Sequence, residues 1–167
     1  MTQVMIDIET LSTQYNAAIL SIGAVKWAES EIVDTFYVNV DPKSCKELGL
    51  HVEHKTVEWW MKQSAEARKA LLVDQQTLTD ALKAFRIWYG SKSLPTWGNG
   101  AAFDLVIMTH AFRCLGTEPP WKPWEERCYR TMNELVKIPH APRDGVYHNA
   151  LDDAVYQTKH LIKILGS

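Results

Sequence analysis

Apolar and polar positions divide the chain into a strand-rich beginning and a helix-rich remainder. Met5-Ile6-Asp7-Ile8-Glu9-Thr10 alternates apolar with acidic residues, which is the period of a strand. Ala18 to Trp27 reads as a second strand and Ile32 to Val40 as a third, closed by Asp41-Pro42. Short polar links, Ser12 to Asn16 and Glu29 to Glu31, join them. Tight connections cannot join parallel neighbours, so the pattern predicts an antiparallel meander.

Beyond Pro42 the period changes. Thr56 to Gln63 is helical in pattern with Thr56 as its N-cap, and Ser64 to Leu72 reads as a second short helix. Leu78, Ala81, Leu82, Phe85 and Trp88 keep helical spacing between a capping Thr77 and a terminating Gly90. Leu94 to Trp97 reads as a fourth strand, and Phe103 to Leu115 as a helix ended by Gly116. Prolines hold Glu118 to Trp124 extended. Arg127 to Arg130 reads as a fifth strand, with Thr131 capping a short helix from Met132 to Lys137. Ile138 to Gly145 is a loop by composition. The last helix runs from about Asn149 to Leu165, with Leu151, Ala154, Val155, Thr158, Leu161, Ile162 and Leu165 on one face. A meander followed by helices alternating with two more strands predicts an α/β layer fold on a mixed sheet. No repeat or linker interrupts it, so residues 1–167 read as a single domain.

Composition adds limits. The 167 residues, 46% hydrophobic and 23% charged, suit one globular core. A net charge of −2 excludes a broad basic surface, so a polyanion would be held by local Lys and Arg or by bound metal. The three cysteines, Cys45, Cys114 and Cys128, are far apart and in no metal-binding spacing, as expected for reduced thiols in a cytoplasmic protein. No apolar run reaches the length of a membrane span. The first strand starts so near Met1 that no presequence is expected.

Candidate chemistry begins in the first strand. Asp7 and Glu9 share one face, and Ile6 and Ile8 share the other. Two adjacent carboxylates are costly to bury and repel each other, and a divalent cation between them removes both costs. The plain alternative is an edge strand with solvated acids. Asp104 follows the loop Gly98-Asn99-Gly100 at a helix start, where an acid is also favoured by the helix dipole alone. His148, Asp152 and Asp153 lie where a loop becomes the last helix, and the same dipole argument applies to the two acids. Periodicity does not separate Asp152 from Asp153. Trp59 and Trp60 suit either base stacking or the core. Adjacent helix residues point about 100° apart, so at most one of them can face a substrate. His51, His54, His110 and His160 have no metal-like spacing and read as surface or structural. Arg143, in the loop before His148, reads as a phosphate contact or as a solvated side chain.

Together these fragments are more specific. Asp7-x-Glu9 on the first strand, Phe103-Asp104 at a helix start and His148-x4-Asp153 at the last helix resemble the three motifs of the DEDD exonuclease superfamily. The histidine marks the DEDDh branch, which includes ribonuclease T, oligoribonuclease and proofreading subunits of bacterial replicases. Thr56-Val57-Glu58-Trp59-Trp60, Gln63-Ser64-x-Glu66-Ala67-Arg68 and the run from Trp97 to Asp104 resemble a compact bacterial and phage exoribonuclease-like group within it. Related phage proteins are exodeoxyribonucleases.

The resemblance spans nearly the whole chain and implies a ribonuclease H-like fold, with a five-stranded mixed sheet flanked by helices. It implies that Asp7, Glu9, Asp104 and Asp153 bind two Mg²⁺ or Mn²⁺ ions. The five-residue step from His148 selects Asp153. Asp7 would bridge the metals, Asp104 would act through water, and His148 would be the general base. The backbone around Thr10 and Leu11 would face the terminal nucleotide, with Phe103 and one of Trp59 and Trp60 as further candidate substrate contacts. The implied reaction is hydrolysis of single-stranded RNA or DNA from the 3′ end to nucleoside 5′-monophosphates. Weighed beside it are a short-oligonucleotide nuclease on the same site and a catalytically silent module that binds nucleic-acid ends. The loop before His148 is expected to become ordered when substrate binds. The resemblance also permits a homodimer.

Overall fold

The computed structural model describes residues 1–166. Its mixed five-stranded sheet has the order β3-β2-β1-β4-β5. Strands β1 (Thr2–Thr10), β2 (Ile19–Ala28) and β3 (Glu31–Asn39) form the expected antiparallel meander. β4 (Thr96–Gly98) and β5 (Glu126–Cys128) add in parallel beyond β1. β1 therefore lies at the centre of the sheet. The helices are α1 (Pro42–Glu47), α2 (His54–Met61), α3 (Ala65–Ala70), α4 (Leu78–Tyr89), α5 (Asp104–Cys114), α6 (Tyr129–Leu135) and α7 (Ala150–Leu165). Among the described residues, no helix is long and apolar enough to cross a membrane.

The two faces of β1 have separate cores. Ile6 and Ile8 join Ile22, Leu82, Phe85, Leu105 and Phe112 on the α4–α5 side. Met5 joins Val25, Trp27, Trp97, Leu161 and Ile164 on the α7 side. Asp7 and Glu9 alternate in phase with Met5, so they face α7, while the isoleucines anchor the strand from behind. Truncating either isoleucine to Ala would cost roughly 2–5 kcal/mol and loosen the strand that carries the acids.

Gly23 lets α7 close on that strand. It pairs with Asp7 across the β1–β2 ladder. A Cβ there would lie 2.2 Å from the carbonyl carbon of Ala150, the first residue of α7. Only a residue without a side chain allows the helix N-terminus to come this near the acidic pair.

Several element boundaries differ from the sequence expectation. α1 begins at Pro42 with Asp41 as its cap, the Asp41 carboxylate accepting from the Lys43 N–H at 3.0 Å. Proline at the first helical position starts a helix, so Asp41-Pro42 closes β3 and opens α1 together. α2 begins at His54 rather than at Thr56. Its start is fixed by Glu53, whose N–H donates to the Leu11 carbonyl at 2.8 Å and whose side chain accepts from the Thr56 hydroxyl at 2.9 Å. A short 3₁₀ turn, Pro123–Glu125, interrupts the segment expected to be extended. α6 begins at Tyr129, directly after β5, and takes Thr131 into its interior. The buried Tyr129 hydroxyl contacts His160 Nδ1 of α7 at 2.9 Å, which ties the early helix start to the core. On α7, Ile164 rather than Leu165 ends the buried face.

Candidate active site

Three chain segments meet at the C-terminal ends of β1 and β4. β1 brings Asp7 and Glu9. β4 stops opposite Ile6, and two residues further along β1 the Ile8 N–H donates to Asp104 Oδ1 at 3.3 Å. Asp104, the first residue of α5, is thereby fixed to the strand that carries the other acids. Gly98 faces it closely, since a Cβ there would lie 3.1 Å from Asp104 Oδ2.

α7 supplies the third segment, and here the structure separates the two adjacent aspartates. Asn149 caps the helix, accepting from the N–H groups of Leu151 at 3.1 Å and Asp152 at 3.2 Å. Asp152 turns back to the loop and accepts the Val146 N–H at 2.8 Å. Asp153 turns to the sheet, where Glu9, His148 and Asp153 each offer a ligand atom within 4.8 Å of the others. Asp7, Glu9, Asp104, Asp153 and His148 line one hollow of about 190 Å³, joined by Phe103 and Arg130.

The electrostatics of this hollow are those of crowded, buried anions. Burial, then Asp104 and Glu9, raise the Asp7 carboxyl well above the usual range, while a hydrogen bond from Gln157 opposes the rise. Glu9 is pushed up to about 8 by burial and by Asp104. Burial likewise raises Asp104, against the hydrogen bond from Ile8. His148 is held below the ordinary imidazole value by partial burial and by the Arg143 charge, which favours the neutral, proton-accepting form. Three carboxyls driven toward protonation beside a fourth, Asp153, in a shared hollow fit a hard divalent cation, whose charge would hold those three ionised.

Arg143 is not a solvated loop side chain. It forms an ion pair with Asp153, and its guanidinium lies over the rings of Tyr147 at 4.0 Å and Tyr156 at 5.2 Å. Arg130, which donates to the Asn99 carbonyl at 3.0 Å, brings a second cation to the rim. From sequence Arg143 is legible only as a phosphate contact or a solvated side chain, and Arg130 not as a site residue, because each stands alone.

A larger groove of about 470 Å³ adjoins the hollow and shares Ile8, Glu9 and Phe103 with it. Thr10, Trp59 and Trp60 line it as expected. Leu11 does not. Its N–H donates to Ala18, its carbonyl accepts from Glu53, and its side chain packs between two buried clusters. The backbone groups expected to meet substrate there are already satisfied. The tryptophans divide as helical geometry requires, Trp59 being 40% exposed and Trp60 6%. Trp60 belongs to the core beside Leu20 and Leu71, and its Nε1 donates to the Thr10 carbonyl at 2.8 Å. Among the other histidines, His51 contacts Ser12, His110 contacts Cys114 and His160 contacts Tyr129, while His54 pairs with Glu58 on the surface.

The sheet order and flanking helices define a ribonuclease H-like α/β fold of the kind found in DEDDh exonucleases. The nuclease domain of 3′hExo, a DEDDh family member solved with rAMP bound, matches with a TM-score of 0.67 at 16% identity over 99% of this chain and 92% of that one. Exonuclease X, solved with 5′-overhanging duplex DNA, matches with a TM-score of 0.64 at 18% identity over 98% of this chain and 91% of that one. Residues 2–165 match the 3′-5′ exoribonuclease Rv2179c-like domain, and the chain belongs to that family. It is a 3′–5′ exonuclease by that membership. The exodeoxyribonuclease of Enterobacteria phage T4 is 26% identical over 188 aligned positions, which cover 89% of this chain and 82% of the relative.

Proposed function

We propose that this exonuclease hydrolyses single-stranded RNA or DNA from the 3′ end and releases nucleoside 5′-monophosphates, using two Mg²⁺ or Mn²⁺ ions. The observation that carries the reading is the convergence of Asp7, Glu9, Asp104 and Asp153 with His148 around one hollow. When bound, the cations would supply Lewis acidity to the scissile phosphate and to the attacking water.

The chain's own groups have distinct tasks. Asp7, Glu9, Asp104 and Asp153 would hold the cations as a set of carboxylate oxygens. His148 accepts the proton of the attacking water on an imidazole nitrogen. The water oxygen bonds to phosphorus, the P–O3′ bond breaks, and solvent protonates the departing 3′ oxygen. The products are a nucleoside 5′-monophosphate and a strand shortened by one residue. In the adjoining groove Trp59 and Phe103 receive the terminal base, where stacking is worth about 1–3 kcal/mol. Arg143 shares Asp153 with any cation bound there, and Arg130 meets the phosphate from the rim.

The family description names an exoribonuclease, and the phage relative is an exodeoxyribonuclease. Both nucleic acids therefore belong in the test. End-labelled single-stranded RNA and DNA are incubated with Mg²⁺ or Mn²⁺, with and without chelator, and the products identified by chromatography. Metal-dependent release of 5′-monophosphates supports the reading. Binding without shortening of either strand under any metal contradicts it and favours the end-binding module.

A further inference from the structure

Gln157 lies one helical turn beyond Asp153 on α7 and is 5% exposed. Its Nε2 donates to Asp7 Oδ1 at 2.8 Å. Its Oε1 is buried with no hydrogen-bond partner. We propose that Gln157 is the positioning residue of Asp7, locking the aspartate in the rotamer that the hollow uses. This inference rests on the metal-dependent reading of the site.

An amide N–H can be satisfied here only by an oxygen with a free lone pair, so the observed contact requires Asp7 to accept. The reversed amide would set two oxygens against each other unless Asp7 carried a proton. Gln157 instead leaves its own oxygen unpartnered, a costly arrangement for a buried acceptor. The contact with Asp7 explains the amide at a buried position flanked on α7 by Ala154 and Leu161, where the other buried polar side chains, Thr158 and His160, have hydrogen-bond partners of their own. Anchoring Oδ1 leaves Oδ2 as the oxygen free to serve the hollow. Groups that orient metal-binding side chains in this way commonly change metal affinity by about 10–100-fold when removed.

A merely structural role would make Gln157 a packing residue, replaceable by an apolar side chain of the same length. Gln157→Met tests this, with Gln157→Leu as the second variant should the first fold poorly. Mn²⁺ affinity is measured by calorimetry, thermal unfolding is followed in chelator, and cleavage is titrated with metal. The expected result is cation affinity about 10-fold weaker or more, with the unfolding midpoint in chelator unchanged or raised. KM for the oligonucleotide at saturating metal should be unchanged. In an Asp7→Ala background the same substitution should produce no further loss, because the oxygen through which Gln157 acts is gone. Wild-type affinity in Gln157→Met overturns the inference while leaving the proposed reaction intact. A wild-type protein that binds no divalent cation overturns the reading on which the inference rests.

Discussion

The Trp59 indole meets the His148 imidazole edge to face, with ring centroids 4.6 Å apart and planes at 81°. One wall of the groove beside the hollow is thereby also a support of the histidine. His148 has a left-handed backbone, with φ of 62°. Such a conformation costs a non-glycine residue on the order of 1–3 kcal/mol and must be held by its surroundings. Trp59 holds the ring from α2, and the Asn149 cap fixes the backbone that follows.

Trp59→Ala is expected to impair both oligonucleotide binding and the chemical step. Loss of stacking alone is worth about 1–3 kcal/mol, roughly 5- to 150-fold in affinity. Single-turnover rates at saturating oligonucleotide should fall as well, because His148 loses its lateral contact. Trp59→Phe should recover much of both effects. A change confined to KM would show that His148 does not depend on Trp59.

Adjacent Asp152 and Asp153 should separate by phenotype. Asp153→Asn should reduce cleavage by about 100-fold or more, as loss of a transition-state electrostatic contact commonly does. Asp152→Ala should retain cation binding and lose about 1 kcal/mol of stability, since it removes the acceptor of the Val146 N–H. Calorimetric Mn²⁺ titration of the two variants checks this, and equal loss of affinity would contradict the assignment.

Glu9, raised from 4.5 to about 8, and Asp7, raised in the same direction, give a defined pH dependence. Between those values the folded chain binds more protons at the site than the unfolded chain does. In chelator, stability should therefore be greatest near and below about pH 4.5 as far as these groups are concerned, and fall as pH rises through about 8. A bound cation replaces the protons, so the rise in unfolding midpoint on adding Mn²⁺ should grow across that window. Thermal unfolding at several pH values, with and without chelator, measures it. A metal-induced shift that is independent of pH would contradict the electrostatic account.

Gly23→Ala should damage stability and activity together. The added methyl meets α7 backbone at 2.2 Å, and helix and sheet must separate to admit it. Overpacking of this kind costs typically about 1–3 kcal/mol. Denaturant midpoints should fall, and Mn²⁺ affinity should fall with them because Asp153 moves away from Asp7 and Glu9. Unchanged affinity would mean that the close approach at Gly23 does not set the metal site.

Much of this architecture was legible because it rests on local patterns. The alternation of Ile6, Asp7, Ile8 and Glu9 gives both the strand and its two faces, and Thr77 and Gly90 bracket α4 as observed. Other features depend on neighbours distant in sequence. Gln157 reads as an ordinary polar helix residue until β1 places Asp7 beside it, 150 residues away in the chain. Arg143 reads as either a phosphate contact or a solvated side chain until the loop folds it onto Asp153. Leu11 seemed free to meet substrate because nothing in its own segment reveals that Ala18 and Glu53 occupy its backbone groups. Asp152 and Asp153 share a dipole argument, and only the path of the loop at Val146 separates them.

The central claim is that Asp7 and its neighbours form a cation-dependent hydrolytic centre. Its most direct test is stepwise shortening of a 3′-extended single strand by wild-type protein and by Asp7→Asn, each with chelator and after Mn²⁺ is restored. The account predicts that wild-type protein shortens the strand from the 3′ end only with the cation. Asp7→Asn should remain folded and be inactive in both conditions. Shortening that persists in chelator, or wild-type rates in Asp7→Asn, would contradict it.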